Sequence, residues 1–87
     1  MPWSITFVPA KALEECLGDI EKVAEGYFEE RGVVICRKKT YRNDLGRLVL
    51  YYVVKYWKRE YLDGLYKRLW SRFGRHVFVW VKYRKRV

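Results

Sequence analysis

Residues 33–56 read VVICRKKTYRNDLGRLVLYYVVKY, two β-prone runs on either side of a polar segment. The polar segment, residues 42–46, contains Asn, Asp and Gly. Asn and Asp side chains bond to the nearby backbone, and Gly accepts a positive φ, so these residues favour a turn. The pattern therefore predicts a β-hairpin with one strand from Val33 to Thr40 and the next from Arg47 to Tyr56.

A helical period flanks this hairpin on both sides. Apolar residues recur every three or four positions between Ala10 and Arg31 and again after Trp57, which predicts two amphipathic helices. In the first helix they are Leu13, Cys16, Leu17, Ile20, Val23, Ala24, Tyr27 and Phe28. In the second they are Tyr61, Leu62, Leu65, Tyr66, Leu69, Trp70 and Phe73. Gly32 and Gly74 follow the two stripes and are typical of helix ends.

Two further β-prone runs complete the order of elements. Residues 5–8 precede the first helix and residues 77–83 follow the second. The order β-α-β-β-α-β is that of the ferredoxin-like plait. We expect one α+β domain over residues 1–87, with a four-stranded antiparallel sheet, its first and third strands central, and both helices on one face.

Charge is distributed unevenly along the chain. Residues 1–31 carry three basic and seven acidic side chains, whereas residues 32–87 carry sixteen basic and three acidic ones, for a net charge of +9. The basic part also holds twelve of the sixteen aromatic residues. Cations mixed with aromatic rings suit a polyanion with exposed bases, so this distribution predicts a nucleic-acid-binding protein.

Strand alternation assigns these side chains to the two sheet faces. The more apolar sets are predicted to lie under the helices; they are Leu48, Leu50, Tyr52, Val54 and Tyr56 in the third strand and Val77, Val79 and Val81 in the last. The opposite sets, on the open face, are Arg47, Val49, Tyr51, Val53 and Lys55, and His76, Phe78, Trp80, Lys82 and Arg84. In the second strand, Arg37 and Lys39 share the parity of Val33 and Ile35 and join the open face if that parity holds.

The predicted ligand is RNA or single-stranded DNA, bound with low sequence specificity. Tyr51, Phe78 and Trp80 are expected to stack on bases. Phosphate contacts are expected from Arg37, Lys39, Arg47, Lys55, Lys82, Arg84, Lys85 and Arg86, the last four in a basic C-terminal tail, residues 82–87. This layout resembles the RNA-binding sheet of RRM proteins. Residues 46–53, Gly-Arg-Leu-Val-Leu-Tyr-Tyr-Val, depart from the RNP1 pattern by having Leu where that pattern has aromatic residues.

A different class of function is compatible with the same face. Val49, Tyr51, Val53, Phe78 and Trp80 would form a large apolar patch, which is typical of protein interfaces. The alternative is therefore a protein-interaction module or homodimeric adaptor, such as an archaeal viral or plasmid regulatory protein. A one-residue slip in strand register would exchange the two faces.

No catalytic constellation, metal cluster or cofactor is predicted. His76 is the only histidine and has no orienting acid in the sequence pattern, and Asp44, Glu60 and Asp63 do not form a metal motif. A minor alternative is a metal-independent ribonuclease that works with Arg, Lys and Tyr. Residues 7–12, Phe-Val-Pro-Ala-Lys-Ala, resemble the first segment of RelE-type toxin ribonucleases, whose strand order after the helix differs.

Other features of the sequence bear on the cellular location of the protein and on its source organism. Cys16 and Cys36 are too few for a disulfide scaffold, and we expect reduced core thiols, with a single bridge as the alternative. No apolar run approaches a membrane span, and the N-terminus lacks a basic leader pattern, so we expect a cytoplasmic protein without a membrane partner. The absence of Gln and the single Asn are typical of thermophiles and suggest an archaeal source.

Overall fold

The computed structural model describes residues 2–83 and has the predicted order of elements. These are β1 (Trp3–Pro9), α1 (Leu17–Glu30), β2 (Val34–Arg42), β3 (Leu48–Lys55), α2 (Tyr61–Phe73) and β4 (Val77–Tyr83), with a 3₁₀ helix (Lys11–Cys16) before α1. The strands form one antiparallel sheet in the order β2-β3-β1-β4, and both helices pack on it around a common core. The ferredoxin-like fold is thereby confirmed.

The core lies between the helices and one face of the sheet. Its buried strand residues are Ile5, Phe7, Leu50, Tyr52, Val54, Val77 and Val79, and its buried helix residues are Ile20, Ala24, Tyr27, Phe28, Leu65 and Leu69. The ring of Tyr52 packs edge-on against Phe7 and Phe28, with ring centres 5.8 and 5.3 Å away. This is the alternation predicted for β3 and β4, since burial of one face selects one register.

The two helices meet where a tyrosine covers a glycine. The hydroxyl of Tyr27 in α1 donates a hydrogen bond to the carbonyl oxygen of Tyr61, at 2.7 Å. A side chain on Gly64 would place its Cβ 3.0 Å from Cζ of Tyr27, whose ring is buried. The missing side chain at Gly64 therefore allows α2 to lie this close to α1.

Several element ends differ from the sequence prediction, and two of them affect the packing. The first turns of the helix predicted from Ala10 form a 3₁₀ helix, from which the Glu14 carboxylate accepts a hydrogen bond from the backbone N–H of Leu48, at 3.1 Å. This bond ties the segment to the start of β3. The third strand ends at Lys55 because Tyr56 has a φ of 68°, and Tyr56 is exposed rather than packed under the helices.

The second strand contains a β-bulge at Cys36. Ile35 pairs with Val54, whereas Arg37 pairs with Val53, so Cys36 is an extra residue in the ladder. Because Val53 and Val54 point to opposite faces, Ile35 packs on the core and Arg37 points to the open side. Ile35 and Arg37, two positions apart in sequence, would share a face in a regular strand but lie on opposite faces here. The bulge is what places Arg37 on the open face.

The two cysteines have different environments. Both thiols are free; Cys16 is half-buried, whereas Cys36 is exposed. The prediction of a core thiol is therefore wrong for Cys36, because the bulge leaves this residue outside the regular alternation of the strand. No helix within residues 2–83 combines the length and apolarity needed to cross a membrane.

Alanine substitutions at two helical glycines test the packing of α1 on α2. We expect Gly64→Ala to lower the free energy of unfolding by about 1–3 kcal/mol, because the new methyl group must displace the buried Tyr27 ring. Urea denaturation followed by circular dichroism measures the effect. Gly26→Ala is the matched control, since a Cβ at Gly26 meets no atom within 4 Å. There we expect a gain of about 0.5–1 kcal/mol from helix propensity; equal effects at both positions would contradict the packing argument.

Deletion of single residues tests the bulge. Removing Cys36 leaves Ile35 and Arg37 as neighbours on opposite faces, as in a regular strand, so we expect the fold to persist with a loss of about 1 kcal/mol. Removing Thr40, which pairs regularly with Leu50, reverses the faces of the residues on one side of the deletion. There we expect a loss above about 3 kcal/mol. Thermal unfolding of both variants measures the difference, and an equal loss would argue against the bulge.

Candidate nucleic-acid interface

The sheet face that points away from the helices has no acidic residue among its strand positions. None of β1, β2, β3 and β4 contains an Asp or Glu. We call this surface the open sheet face and define it by Ser4, Thr6, Val8, Val34, Arg37, Lys39, Tyr41, Val49, Tyr51, Val53, Lys55, Phe78, Trp80 and Lys82. Its charged residues within the strands are therefore all cations.

Strand pairing arranges these residues in rows across the sheet. One row runs Arg37, Val53, Ser4, Lys82, and the next runs Lys39, Tyr51, Thr6, Trp80. Closer to the β2–β3 turn, Tyr41 pairs with Val49, and Val8 pairs with Phe78. Cations thus occupy the edges of one end of the face, whereas aromatic side chains flank its other end, next to the turn.

The aromatic rings differ in how far they are exposed. Phe78 and Trp80 are 56% and 57% exposed, and their rings stack with centres 6.1 Å apart and planes inclined by 28°. Tyr51 is half-buried, and Nζ of Lys39 lies 5.8 Å from the centre of its ring and 5.2 Å from that of Tyr41. The two β4 rings therefore offer the larger stacking surface.

Next to these rings, a depression of about 430 Å³ lies at the turn end of the open sheet face. It is lined by Thr6, Val8, Tyr41, Asn43, Leu45, Arg47, Val49, Phe78 and Trp80. Val8 and Val49 are buried, so the depression has an apolar floor, whereas Leu45 is 86% exposed at its rim. A second depression, of about 960 Å³, lies on the other side of Trp80 and includes Tyr51 and Lys82. We call the first the hairpin pocket.

Arg47 occupies the edge of this face rather than projecting from it. Its Nη2 donates a hydrogen bond to the carbonyl oxygen of Pro9, at 2.9 Å, and its backbone N–H donates to Oδ1 of Asn43, at 3.0 Å. Nε of Arg47 is buried and has no acceptor within residues 2–83. The guanidinium is thus held against the sheet and lines the hairpin pocket.

On the helix side, cations are paired with the acidic residues that precede and form α1. Nζ of Lys38 lies 2.7 Å from Glu21 and 2.8 Å from Glu25, and Arg42 lies 3.2 Å from Glu14. Lys38 and Arg42 are β2 residues that point toward the helices. After the bulge, residues of β2 alternate between the two faces, so Arg37 and Lys39 point to the opposite side. Further along α1, Glu30 pairs with Arg68 of α2. The acidic helix thus pairs mainly with β2 rather than with the basic second helix.

Glu14 and Glu25 are two of the three carboxylates whose pKa these contacts lower, the third being Glu30 beside Arg68. Burial acts to raise the pKa of Glu25, but hydrogen bonds from Lys38 and Tyr52 outweigh it and hold that pKa below its ordinary value. The backbone N–H of Leu48 and the Arg42 guanidinium lower the pKa of Glu14. Burial, followed by the bond to Glu25, raises the pKa of the Tyr52 hydroxyl. Both carboxylates therefore favour the charged form in the folded state.

A second basic surface lies between the helices. A groove of about 530 Å³ separates α1 from α2, and its lining includes Lys22, Lys67, Arg68 and Arg72 together with Val23, Gly26 and Ser71. This interhelical groove has no exposed aromatic ring in its lining. It therefore provides a comparison surface that has positive charge but no stacking platform.

The predicted site residues are distributed as follows. Arg37, Lys39, Tyr51, Lys55, Phe78, Trp80 and Lys82 share the open sheet face. Arg47 lies at its edge, and Arg84, Lys85 and Arg86 lie outside the described residues. The sequence analysis did not select Tyr41, which lay between the predicted strand and turn, or Asn43, which it assigned to the turn. An Asn in a hairpin turn next to aromatic strand positions was the signal that could have identified them. Between Pro2 and Tyr83, no group of three His, Cys, Asp or Glu could hold a metal ion.

Comparison with known proteins identifies the fold only. No family model and no curated protein matches the sequence. Similar solved structures include formyltetrahydrofolate deformylase from Pseudomonas putida, with a TM-score of 0.63 and 14% identity over 97% of this chain and 29% of that chain. The C-terminal domain of MgtC from Mycobacterium tuberculosis has a TM-score of 0.63 and 11% identity over 92% of this chain and 85% of that domain. An uncharacterized protein from Thermotoga maritima has a TM-score of 0.59 and 15% identity over 92% and 91%.

The Glu25 carboxylate predicts a pH dependence of stability. A carboxylate whose pKa is lower in the folded than in the unfolded state stabilises the fold above its unfolded pKa and loses this effect as pH falls through its folded pKa. We therefore expect the unfolding temperature to drop between about pH 6 and about pH 3. Glu25→Gln should reduce this drop, which differential scanning calorimetry measures.

Glu29→Gln is the matched control for this measurement. It removes the same charge from α1, but the Glu29 carboxylate has no ion-pair partner in the part of the chain that the structure describes. We expect its pH profile to follow that of the unmodified protein more closely than Glu25→Gln does. If both variants reduced the drop equally, the drop would reflect net charge rather than the contacts of Glu25.

Proposed function

We propose that the protein binds single-stranded RNA or DNA across the open sheet face. The observation that supports this proposal is the presence of Phe78 and Trp80, both more than half exposed, on a face whose only charged strand residues are cations. A duplex hides the faces of its bases in the stack, whereas a single strand can place them on exposed rings. The exposed rings therefore support a single-stranded ligand, and the cations support a negatively charged one.

The cations of this face are available to phosphates. Within residues 2–83, no carboxylate lies within ion-pair distance of Arg37, Lys39, Lys55 or Lys82. Each phosphate neutralised on a single strand contributes about −0.7 to the slope of log K against log salt, so four contacts give a slope of roughly −3. Binding should thus weaken steeply as salt rises.

A second candidate is association with protein through the same face. The exposed rings of Phe78 and Trp80 adjoin the apolar floor formed by Val8 and Val49, and such patches occur in homodimer interfaces. In that case the rings would be buried by a second copy or an adaptor partner, and the rim cations would stay in solvent. Loss of one ring would weaken nucleic-acid binding if the first candidate is right and protein association if the second is right.

Trp80→Ala tests both candidates. Stacking of an aromatic ring on a base contributes about 1–3 kcal/mol, so we expect an affinity for labelled single-stranded oligomers about 5- to 150-fold weaker, with molecular mass unchanged. Fluorescence anisotropy measures the affinity and light scattering the mass. If the variant instead dissociates a dimer while its oligomer affinity stays the same, the face is a protein interface.

Two control substitutions isolate the contribution of this face. Tyr56→Asn removes a ring that is 69% exposed but lies beyond the end of β3, and Asn tolerates the positive φ at this position. Lys67→Glu makes the same charge change in the interhelical groove that Lys82→Glu makes on the open sheet face. Only Trp80→Ala and Lys82→Glu should weaken binding markedly; equal losses from Lys67→Glu would indicate attraction by net charge alone.

A further inference from the structure

The hairpin pocket has the lining of a site for a flat ring. Its volume is about 430 Å³, its floor is the buried pair Val8 and Val49, and the aromatic side chains Tyr41, Phe78 and Trp80 line it. A mainly apolar concave surface with a few polar groups is the usual form of a site for a small planar ligand. The polar groups of this pocket then decide which ring is preferred.

Asn43 presents only hydrogen-bond donors to a ligand. Its Oδ1 accepts the backbone N–H groups of Leu45 and Arg47, both at 3.0 Å, which uses the two lone pairs of the amide oxygen. Its amide nitrogen has no partner within the range that the structure describes, residues 2–83. The turn of the hairpin thus fixes the orientation of the Asn43 amide.

Arg47 adds a donor of the same kind. Its Nη2 is held by the carbonyl oxygen of Pro9, whereas its buried Nε–H lacks an acceptor among residues 2–83. A buried donor without an acceptor is costly, and a ligand atom that accepts this bond recovers the lost free energy. Asn43 and Arg47 therefore both line the pocket, both carry an N–H group without an acceptor among residues 2–83, and each side chain is fixed by a backbone contact of the hairpin or of β1.

We propose that the hairpin pocket selects a guanine base within the bound single strand; this inference rests on the function proposed above. Guanine presents two adjacent acceptors, O6 and N7, to which Arg side chains commonly bond. Adenine has an amino donor in place of O6, and this donor would face the donors of Asn43 and Arg47. Cytosine likewise presents an amino donor at the corresponding edge. The pocket thus adds a base preference to the sequence-tolerant stacking on Phe78 and Trp80.

The test compares short cytosine oligomers that differ in one central base, because cytosine itself presents an amino donor to the pocket. We expect the oligomer with guanine to bind at least about 5-fold more tightly than those with adenine or cytosine, measured by fluorescence anisotropy. Asn43→Asp keeps an oxygen that accepts the two turn N–H bonds but replaces the amide donor with an acceptor. It should abolish the guanine preference while thermal unfolding shows that the fold persists.

Thr40→Glu is the matched control for the added negative charge. Thr40 pairs with the inward-facing Leu50, so the new charge lies on the helix side of β2. The guanine preference should survive in this variant. If Thr40→Glu and Asn43→Asp abolish the preference equally, the charge and not the amide is responsible, and the pocket assignment is wrong.

The outcomes separate this inference from the proposed function. Equal affinity of the unmodified protein for all the oligomers would overturn the base pocket and leave single-strand binding intact. Failure of every oligomer to bind would overturn the proposed function. A free guanosine monophosphate arm distinguishes a second ligand source: if it binds as tightly as the guanine oligomer, the pocket is supported as a guanine site, but the polymer is not its ligand.

Discussion

The β-bulge at Cys36 determines which cations of β2 meet α1 and which reach the open sheet face. One extra residue in the ladder shifts the alternation, so Lys38 points to the acidic helix while Arg37 and Lys39 point away from it. Without this shift, the strand that packs Ile35 on the core would place Arg37 on the helix side, at the position that Lys38 occupies opposite Glu21 and Glu25. The bulge thus leaves Arg37 and Lys39 on the open sheet face and Lys38 on the helix side.

The result is a domain with separated charge. Glu14, Glu21 and Glu25 are paired with β2 cations on the helix side of the sheet. The open sheet face has no acidic strand residue, because none of the four strands contains Asp or Glu. Exposed ion pairs contribute little to stability, with typical values of about 0–1 kcal/mol. Their more important effect is on the electrostatic field, because they neutralise the helix-facing cations of β2 and leave the unpaired ones together on one side.

The same backbone arrangement serves very different proteins. Part of a deformylase, a domain of MgtC and an uncharacterized protein from Thermotoga maritima share it at 11–15% identity. A fold of this kind positions side chains but does not choose the chemistry, which depends on the residues placed on it. For this chain, the informative features are therefore the exposed rings of β4, the cations of β2 and the donors of the hairpin pocket.

Local periodicity was enough to predict the order of elements, the inward side of Tyr52 and the outward side of Trp80, because strand alternation and helical spacing are properties of neighbouring residues. Three features were decided only by tertiary structure: the bulge at Cys36, the anchoring of Arg47 and the exposure of Tyr56. Pairing with β3 displaces Cys36, and the carbonyl oxygen of Pro9, thirty-eight residues away in sequence, holds Arg47. Long-range contacts of this kind leave no signal in the local sequence. The alternation of residues therefore predicted the sheet but not the position of Arg47 in the hairpin pocket.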